Sequence, residues 1–269
     1  MDSVDNTVDK AGCAVVTGAG SGIGRACALR LAEDGRPLVL LDADGTAAER
    51  TAKEIPGAAA AFAVDVTDED AVAGAVREAV ERFGAPKVLV NAAGIIIRKK
   101  LLESTVDEWR RVLDVNLTGY FLLLKQVIPA MAAGGGGSIV QIASIAGHTG
   151  YGFSSYTAAK GGVLALTKQL AAELAVDGIR INSVSPGVVH SGLNRDTLGN
   201  ETIRAATVAN TPLGRIGEPD DIARVVAFLA GPGADYVTGT DLVADGGMIS
   251  TIHWGSAGGE LHSFHAQER

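Results

Sequence analysis

The chain has little cysteine: two in 269 residues, Cys13 and Cys27. Both stand among apolar neighbours near the first strand and helix, so they read as buried thiols rather than a disulfide or a metal pair. Positive charge is also short. Against 31 acidic residues there are 23 lysines and arginines, and the net charge of −8 argues against nucleic acid and anionic membranes as partners. No apolar run approaches the roughly 20 residues that span a bilayer. The opening MDSVDNTVDK is polar and acidic, unlike a secretory or transit signal. Residues 1–10 are expected to be disordered, and the cytoplasm is the default location. No three of the five histidines stand at a metal-ligand spacing, so no metal is assigned.

What the chain does have is glycine, 35 residues, and enough apolar material (47%) for a sizeable core. Short apolar runs alternate with longer helical patterns. The runs predict strands over 13–18, 37–42, 60–65, 87–94, 137–144, 179–187 and 240–247. Most are continuous rather than alternating, as in parallel strands covered on both faces. Helices are predicted near 22–34, 45–54, 68–83, 105–133, 155–176 and 219–230, with Asp68 capping the third and Gly84 stopping it. The alternation implies an α/β fold, a doubly wound parallel seven-stranded sheet in one domain over 11–249. A polar insertion at 188–218 reads as a lid, and 250–269 as a tail without clear period.

The segment TGAGSGIG (17–24) follows the first strand and opens the first helix. Gly18, Gly22 and Gly24, with Ser21 and Ile23 between them, form a turn that brings backbone N–H groups against a pyrophosphate. The second strand ends at Asp42, 18 residues after Gly24, where a carboxylate accepts the ribose hydroxyls of an adenosine. A 2′-phosphate there would meet like charge, and Ala43 follows in place of a clamping arginine, which favours NAD over NADP. Arg25 lies near, and a solvent-facing position is expected for it. At the end of the third strand, Asp65 suits the adenine amino group and the Val66 backbone suits the ring edge. Asn91 and Gly94 end the fourth strand on the same edge.

Tyr156 and Lys160 lie one helical turn apart in YTAAK, twelve residues after Ser144. Alone, such a pair is an ordinary neighbour on a helix surface. Taken together, TGAGSGIG, NAAG, Asn116 in LDVNLTG, Ser144, YTAAK and PGVVHS resemble the classical short-chain dehydrogenase/reductase family from about residue 11 to 249. Ala92 departs from the pattern, standing where many relatives carry a second Asn. The resemblance implies a Rossmann fold and an NAD-dependent oxidoreductase interconverting a secondary alcohol and a ketone. It makes Tyr156 the proton donor or acceptor and Lys160 the charge that lowers its pKa while holding the nicotinamide ribose. Ser144 then holds the substrate oxygen, and Asn116 keeps a water beside the lysine. Asn116 also reads as a buried amide satisfied by backbone. Ala92, Pro186, Gly187, Val189 and Ser191 are implied on the cofactor side. A homotetramer is implied as well, built from the long helices and the last strand.

GIIIRKKLLES carries Arg98, Lys99 and Lys100 beside the cleft, either as a solvated basic turn or for an anionic substrate. This segment and ADGGMIS are similar to gluconate and deoxygluconate dehydrogenases of the family, and resemblance to 3-oxoacyl carrier-protein reductases is almost as good. A polyol or sugar acid and a 3-oxoacyl thioester therefore both stand as substrate classes, and a non-catalytic nucleotide-binding regulator is the alternative from another class. His148 and His190 are expected on the substrate side.

Overall fold

The computed structural model describes residues 12–150 and 153–250. Their frame is a sheet of β1 (Cys13–Thr17), β2 (Leu38–Asp42), β3 (Ala59–Ala63), β4 (Pro86–Asn91), β5 (Gly137–Ile142), β6 (Ile179–Pro186) and β7 (Asp241–Ala244). The strands lie in the order β3-β2-β1-β4-β5-β6-β7, every adjacent pair parallel. The apolar runs are continuous because the sheet is covered on both faces. In β2, Leu38 and Leu40 enter one core while Val39 and Leu41 enter the other. Each such fully buried side chain contributes roughly 1.5–3 kcal/mol.

One face is covered by α1 (Gly22–Ala32), α2 (Gly45–Glu54) and, late in the chain, α9 (Pro219–Ala230). Leu31, Ala48, Val226 and Leu229 are buried there, and Arg30 of α1 meets Asp220 of α9 at 2.6 Å. The other face carries α3 (Glu69–Phe83), α4 (Val106–Leu113), α5 (Gly119–Ala133) and α6 (Ser154–Leu174). Val72, Val76, Leu123 and Val127 are buried on that side. The caps fall where the sequence places them: the Asp68 carboxylate accepts the Ala71 N–H at 3.0 Å, and Gly84 ends α3 with φ +82°.

The helix predicted over 105–133 is two helices with a π turn between them, Asp114–Thr118. A capping box of Thr105 and Glu108 starts the first. Wide turns of this kind are frequent at functional sites, and this one holds Asn116. The insertion at 188–218 is more ordered than its polarity predicts. It contains α7 (Arg195–Leu198) and α8 (Glu201–Ala209), and its two ends are tied by a parallel bridge between Val189 and Gly217. The fourth and fifth strands end at Asn91 and Ile142, earlier than predicted. Beyond those points the chain leaves the sheet to form the rim of the crevice. The expectations for residues 1–10 and 251–269 lie outside the described residues.

The order of strands places the crevice. From β1 the chain moves outward through β2 and β3, then returns to β4 on the other side of β1. The carboxyl ends of β1 and β4 therefore diverge into opposite connections, the position where open α/β sheets receive ligands.

Candidate active site

The glycine-rich loop sits at that divergence. Gly18 has φ +63°, and a Cβ there would stand 2.9 Å from the Ala93 Cα. At Gly24 a Cβ would come within 2.2 Å of the Gly18 carbonyl oxygen, so only glycine lets α1 start this close to β1. Thr17 ties the loop to its neighbour, its Oγ1 accepting the Ala92 and Ala93 N–H groups at 3.0 Å each. The N-cap of α1, Ser21, makes no side-chain cap bond, which leaves the first-turn N–H groups free to meet an anion. Gly18, Ser21, Gly22, Ile23 and Gly24 line one end of a cavity of about 400 Å³, within the range of small-molecule and cofactor sites.

Asp42, Asp65, Val66 and Ala92 line the cavity too, and Gly94 borders it beside Asn116 and Lys160, where a Cβ would stand 2.7 Å from Asn116 Oδ1 and 4.0 Å from Lys160 Nζ. Asp42 accepts the Gly20 N–H at 2.8 Å and the Asp44 N–H at 2.9 Å. It thus serves the turn and faces the cavity at once. Asp65 accepts Thr67 N–H and Oγ1–H bonds at 3.0 and 2.8 Å. The Thr67 amide holds its carboxyl below the usual carboxylate range, with Arg111 adding to the effect. Arg25 is drawn away from the cavity by an ion pair with Glu54. Asn91 is not brought to the cavity wall: it is fully buried, its Nδ2 donating to Gln141 Oε1 at 3.5 Å.

Asn116, Ser144, Tyr156 and Lys160 line the cavity away from the glycine-rich loop; Pro186, Gly187, Val189 and Ser191 line it as well, Ser191 against Gly22. Ser144 Oγ accepts the Ala146 N–H at 3.1 Å, leaving its own O–H to donate. Lys160 is buried, with Nζ 5.8 Å from the centre of the Tyr156 ring. Burial pushes the Lys160 ammonium down to about 7. Its charge is therefore conditional near neutral pH rather than permanent, because burial strips the amine of water, which the sequence pair Tyr-x-x-x-Lys does not disclose. Asn116 Nδ2 donates to the Ile95 and Val112 carbonyls at 2.9 Å each, and its Oδ1 accepts the Ile95 N–H at 3.3 Å. The side-chain amide is thus spent on holding the loop after Gly94.

His148 and His190 do not line the cavity. His148 Nε2 turns to Asp241 at 2.8 Å and Ser185 at 3.1 Å, where a carboxylate on β7 captures it. Of the basic turn, Lys99 pairs with Glu108 at 2.5 Å. Arg98 bonds Asn194 Oδ1 at 2.9 Å and stacks on Phe153, linking this turn to the insertion. Among the described residues no group of three His, Cys, Asp or Glu could hold a metal ion, and no helix is long and apolar enough to cross a membrane. Sequence reasoning missed Thr17, Ile95, Ile96, Ile145, Leu193 and Tyr120. Thr17 alone left a signal, a hydroxyl at the last position of an apolar strand before the glycines.

A family model described as enoyl-(acyl carrier protein) reductase matches residues 18–249. The chain is similar to a cyclohexanol dehydrogenase of Acinetobacter sp. (strain SE19), 43% identical with 88% of this chain and 94% of the relative covered. It is likewise similar to a galactitol 2-dehydrogenase (L-tagatose-forming) of Cereibacter sphaeroides, 41% identical over 87% and 94%. A solved short-chain type dehydrogenase/reductase from Mycobacterium marinum superposes with a TM-score of 0.86 at 34% identity, covering 90% of this chain and 96% of that one. The chain belongs to the short-chain dehydrogenase/reductase family of oxidoreductases, whose members use nicotinamide cofactors.

Proposed function

We propose that the chain is an NAD(H)-dependent oxidoreductase that interconverts a secondary alcohol and a ketone. The observation that carries this reading is one cavity lined by the glycine loop and Asp42 at one end and by Ser144, Tyr156 and Lys160 at the other. The free N-terminus of α1 would hold the pyrophosphate, and Asp42 the adenosine ribose. Asp65 and the Val66 backbone would hold the adenine, and Val189 and Ser191 the carboxamide of the nicotinamide. Asp42 supports NAD over NADP, since a 2′-phosphate beside it would meet like charge, while Arg25 is engaged by Glu54 and Arg111 of the lining faces Asp65. Bound there, the nicotinamide supplies and receives the hydride.

The protein moves the proton. In reduction, Ser144 donates to the substrate oxygen and Tyr156 gives up its phenolic proton to it. In oxidation the Tyr156 phenolate takes the proton back. A free phenol has a pKa of about 10, and an ammonium beside it favours the phenolate. Asn116 acts by placing the 94–96 loop, and Lys160 holds the nicotinamide ribose.

The substrate wall refines the class. Ile95, Ile96, Ile145 and Leu193 line the cavity with the catalytic side chains. Polyol hydroxyls set against isoleucine would lose water without gaining partners. This supports an alcohol with an apolar body, of the cyclohexanol kind that one relative's name states, ahead of a polyol or sugar acid. An acyl thioester is the second reading, supported by the family model's description. Assembly as a homotetramer belongs to the same proposal, supported by exposed Phe121, Phe228 and Val243 on α5, α9 and β7. So does action in the cytoplasm on a small molecule, with no nucleic-acid or membrane partner.

The test is turnover with NAD and NADP on panels of alicyclic alcohols, polyols and sugar acids, and 3-oxoacyl thioesters. NAD-linked oxidation of the alicyclic panel is the expected result. Nucleotide binding without turnover on any panel overturns the enzymatic reading in favour of a regulator.

A further inference from the structure

Three groups meet at the Lys160 amine. Its Nζ donates to the Ile142 carbonyl at 2.6 Å and to the Tyr120 hydroxyl at 3.2 Å. Tyr120 Oη in turn donates to the same Ile142 carbonyl at 3.1 Å. That donation commits the phenolic proton, so the oxygen presents a lone pair to the amine. The Tyr120 ring adds its face, with Nζ 4.9 Å from the centroid. Tyr120 is 1% exposed and packs in a small cluster with Ala143 and Val163, away from the cavity lining. A hydroxyl in such a cluster is costly unless it is used.

We propose that Tyr120 is a positioning residue for proton transfer: its hydroxyl and ring, together with the Ile142 carbonyl, fix the Lys160 ammonium where it faces Tyr156. The inference rests on the reading that Tyr156 and Lys160 carry the proton chemistry.

The groups facing the amine come from four elements. They are Tyr120 of α5, Tyr156 one turn away on α6, the Asn116 amide across Gly94 from the π turn, and the Ile142 carbonyl of β5. Of these, only the two phenols titrate. Burial, with repulsion from Tyr156, pushes the Tyr120 phenol well above its ordinary value. It remains a neutral acceptor throughout the working pH range, and Tyr156 is the phenol left to exchange a proton. A neutral acceptor and an aromatic face both favour the charged amine, opposing the burial that pushes it down to about 7.

Ketone reduction needs Tyr156 protonated beside an ammonium. Tyr120→Phe keeps the ring and removes the acceptor, so the ammonium loses its proton at lower pH. The alkaline limb of the kcat profile for reduction is expected to move down by about one pH unit, equivalent to about 1.4 kcal/mol. Above the limb the rate would fall about tenfold, while at pH 5 it stays near wild type and NADH affinity holds. Val163→Ala loosens the same cluster without touching the oxygen; it is expected to lower Tm and leave the limb in place. Should Tyr120→Phe fail to fold, Tyr120→Met fills the space without an oxygen and is read in the same way. A limb that stays put in the Tyr120 variant, or moves equally in Val163→Ala, overturns the proposal. Failure of the underlying reading looks different: Tyr156→Phe would then keep its turnover.

Discussion

The end of the cavity proposed for the cofactor is built from strand ends and the turns that follow them. Gly18–Gly24, Asp42 and Asp65 each sit where an apolar run stops, and backbone N–H groups and short carboxylates do most of the holding. The end proposed for proton transfer is built from side chains that converge through the interior. Lys160 comes from α6, Tyr120 from α5, Asn116 from a π turn, and the carbonyl that anchors Lys160 and Tyr120 from β5. The first end tolerates water and presents dipoles. The second is dry enough to make a lysine's charge depend on pH near neutrality. Binding a large charged cofactor needs many modest contacts at a surface crevice. Tuning one proton needs a few strong interactions in a poor dielectric.

The sharpest break between the two ends is Tyr156→Phe. It should lower kcat by about 10³, within the 10²–10⁴ range of general acid–base contributions, while NADH titration shows nearly unchanged affinity. Parallel loss of binding and turnover would mean that the ends are not separable.

Next in size is the pH dependence of stability. Lys160 has its folded pKa lowered from 10.5 to about 7. Below pH 7 both folded and unfolded chains hold the proton, and the full cost of burying the charge applies. Between about 7 and 10.5 the unfolded chain holds one proton more, so this group makes stability rise with pH, by at most about 1.4 kcal/mol per unit. Denaturant unfolding of wild type and Lys160→Met from pH 6 to 10 should show the wild type gaining on the variant above pH 7. A constant difference would place the charge in a wetter setting than the structure does.

The smallest of the three effects belongs to the cofactor end. Asp42→Ala should raise the ratio of NADP- to NAD-linked kcat/KM by about tenfold, the factor that 1.4 kcal/mol of lost repulsion represents. A wild type that already prefers NADP would contradict the assignment of that strand end.

These ends differ in how far they could be read from the residues alone. The glycine loop and Asp42 were legible because a tight turn after a buried strand demands glycine, and a carboxylate at a strand end is unusual among apolar neighbours. Asn91 had the same local look and lies instead beneath the wall against Gln141, because one residue along a strand reverses which face a side chain takes. Tyr120 left no signal at all. In LTGYFLLL it reads as one more core residue, and its value comes from a lysine 40 positions later. The insertion at 188–218 looked irregular since its helices are short and polar, with little periodicity to detect.

By itself the sequence determined the parallel α/β sheet, the order of its elements, the glycine turn after the first strand and the tyrosine–lysine pair. These follow from local rules: apolar runs that need two covers, glycines where backbones crowd, and two side chains one helical turn apart. Only the tertiary structure decided that the lysine is buried, that a second phenol holds it, that Asn116 spends its amide on a loop, and that isoleucines line the cavity. Those are properties of burial and of contacts between distant segments, and in a folded chain they are set by which surfaces meet rather than by what precedes or follows a residue.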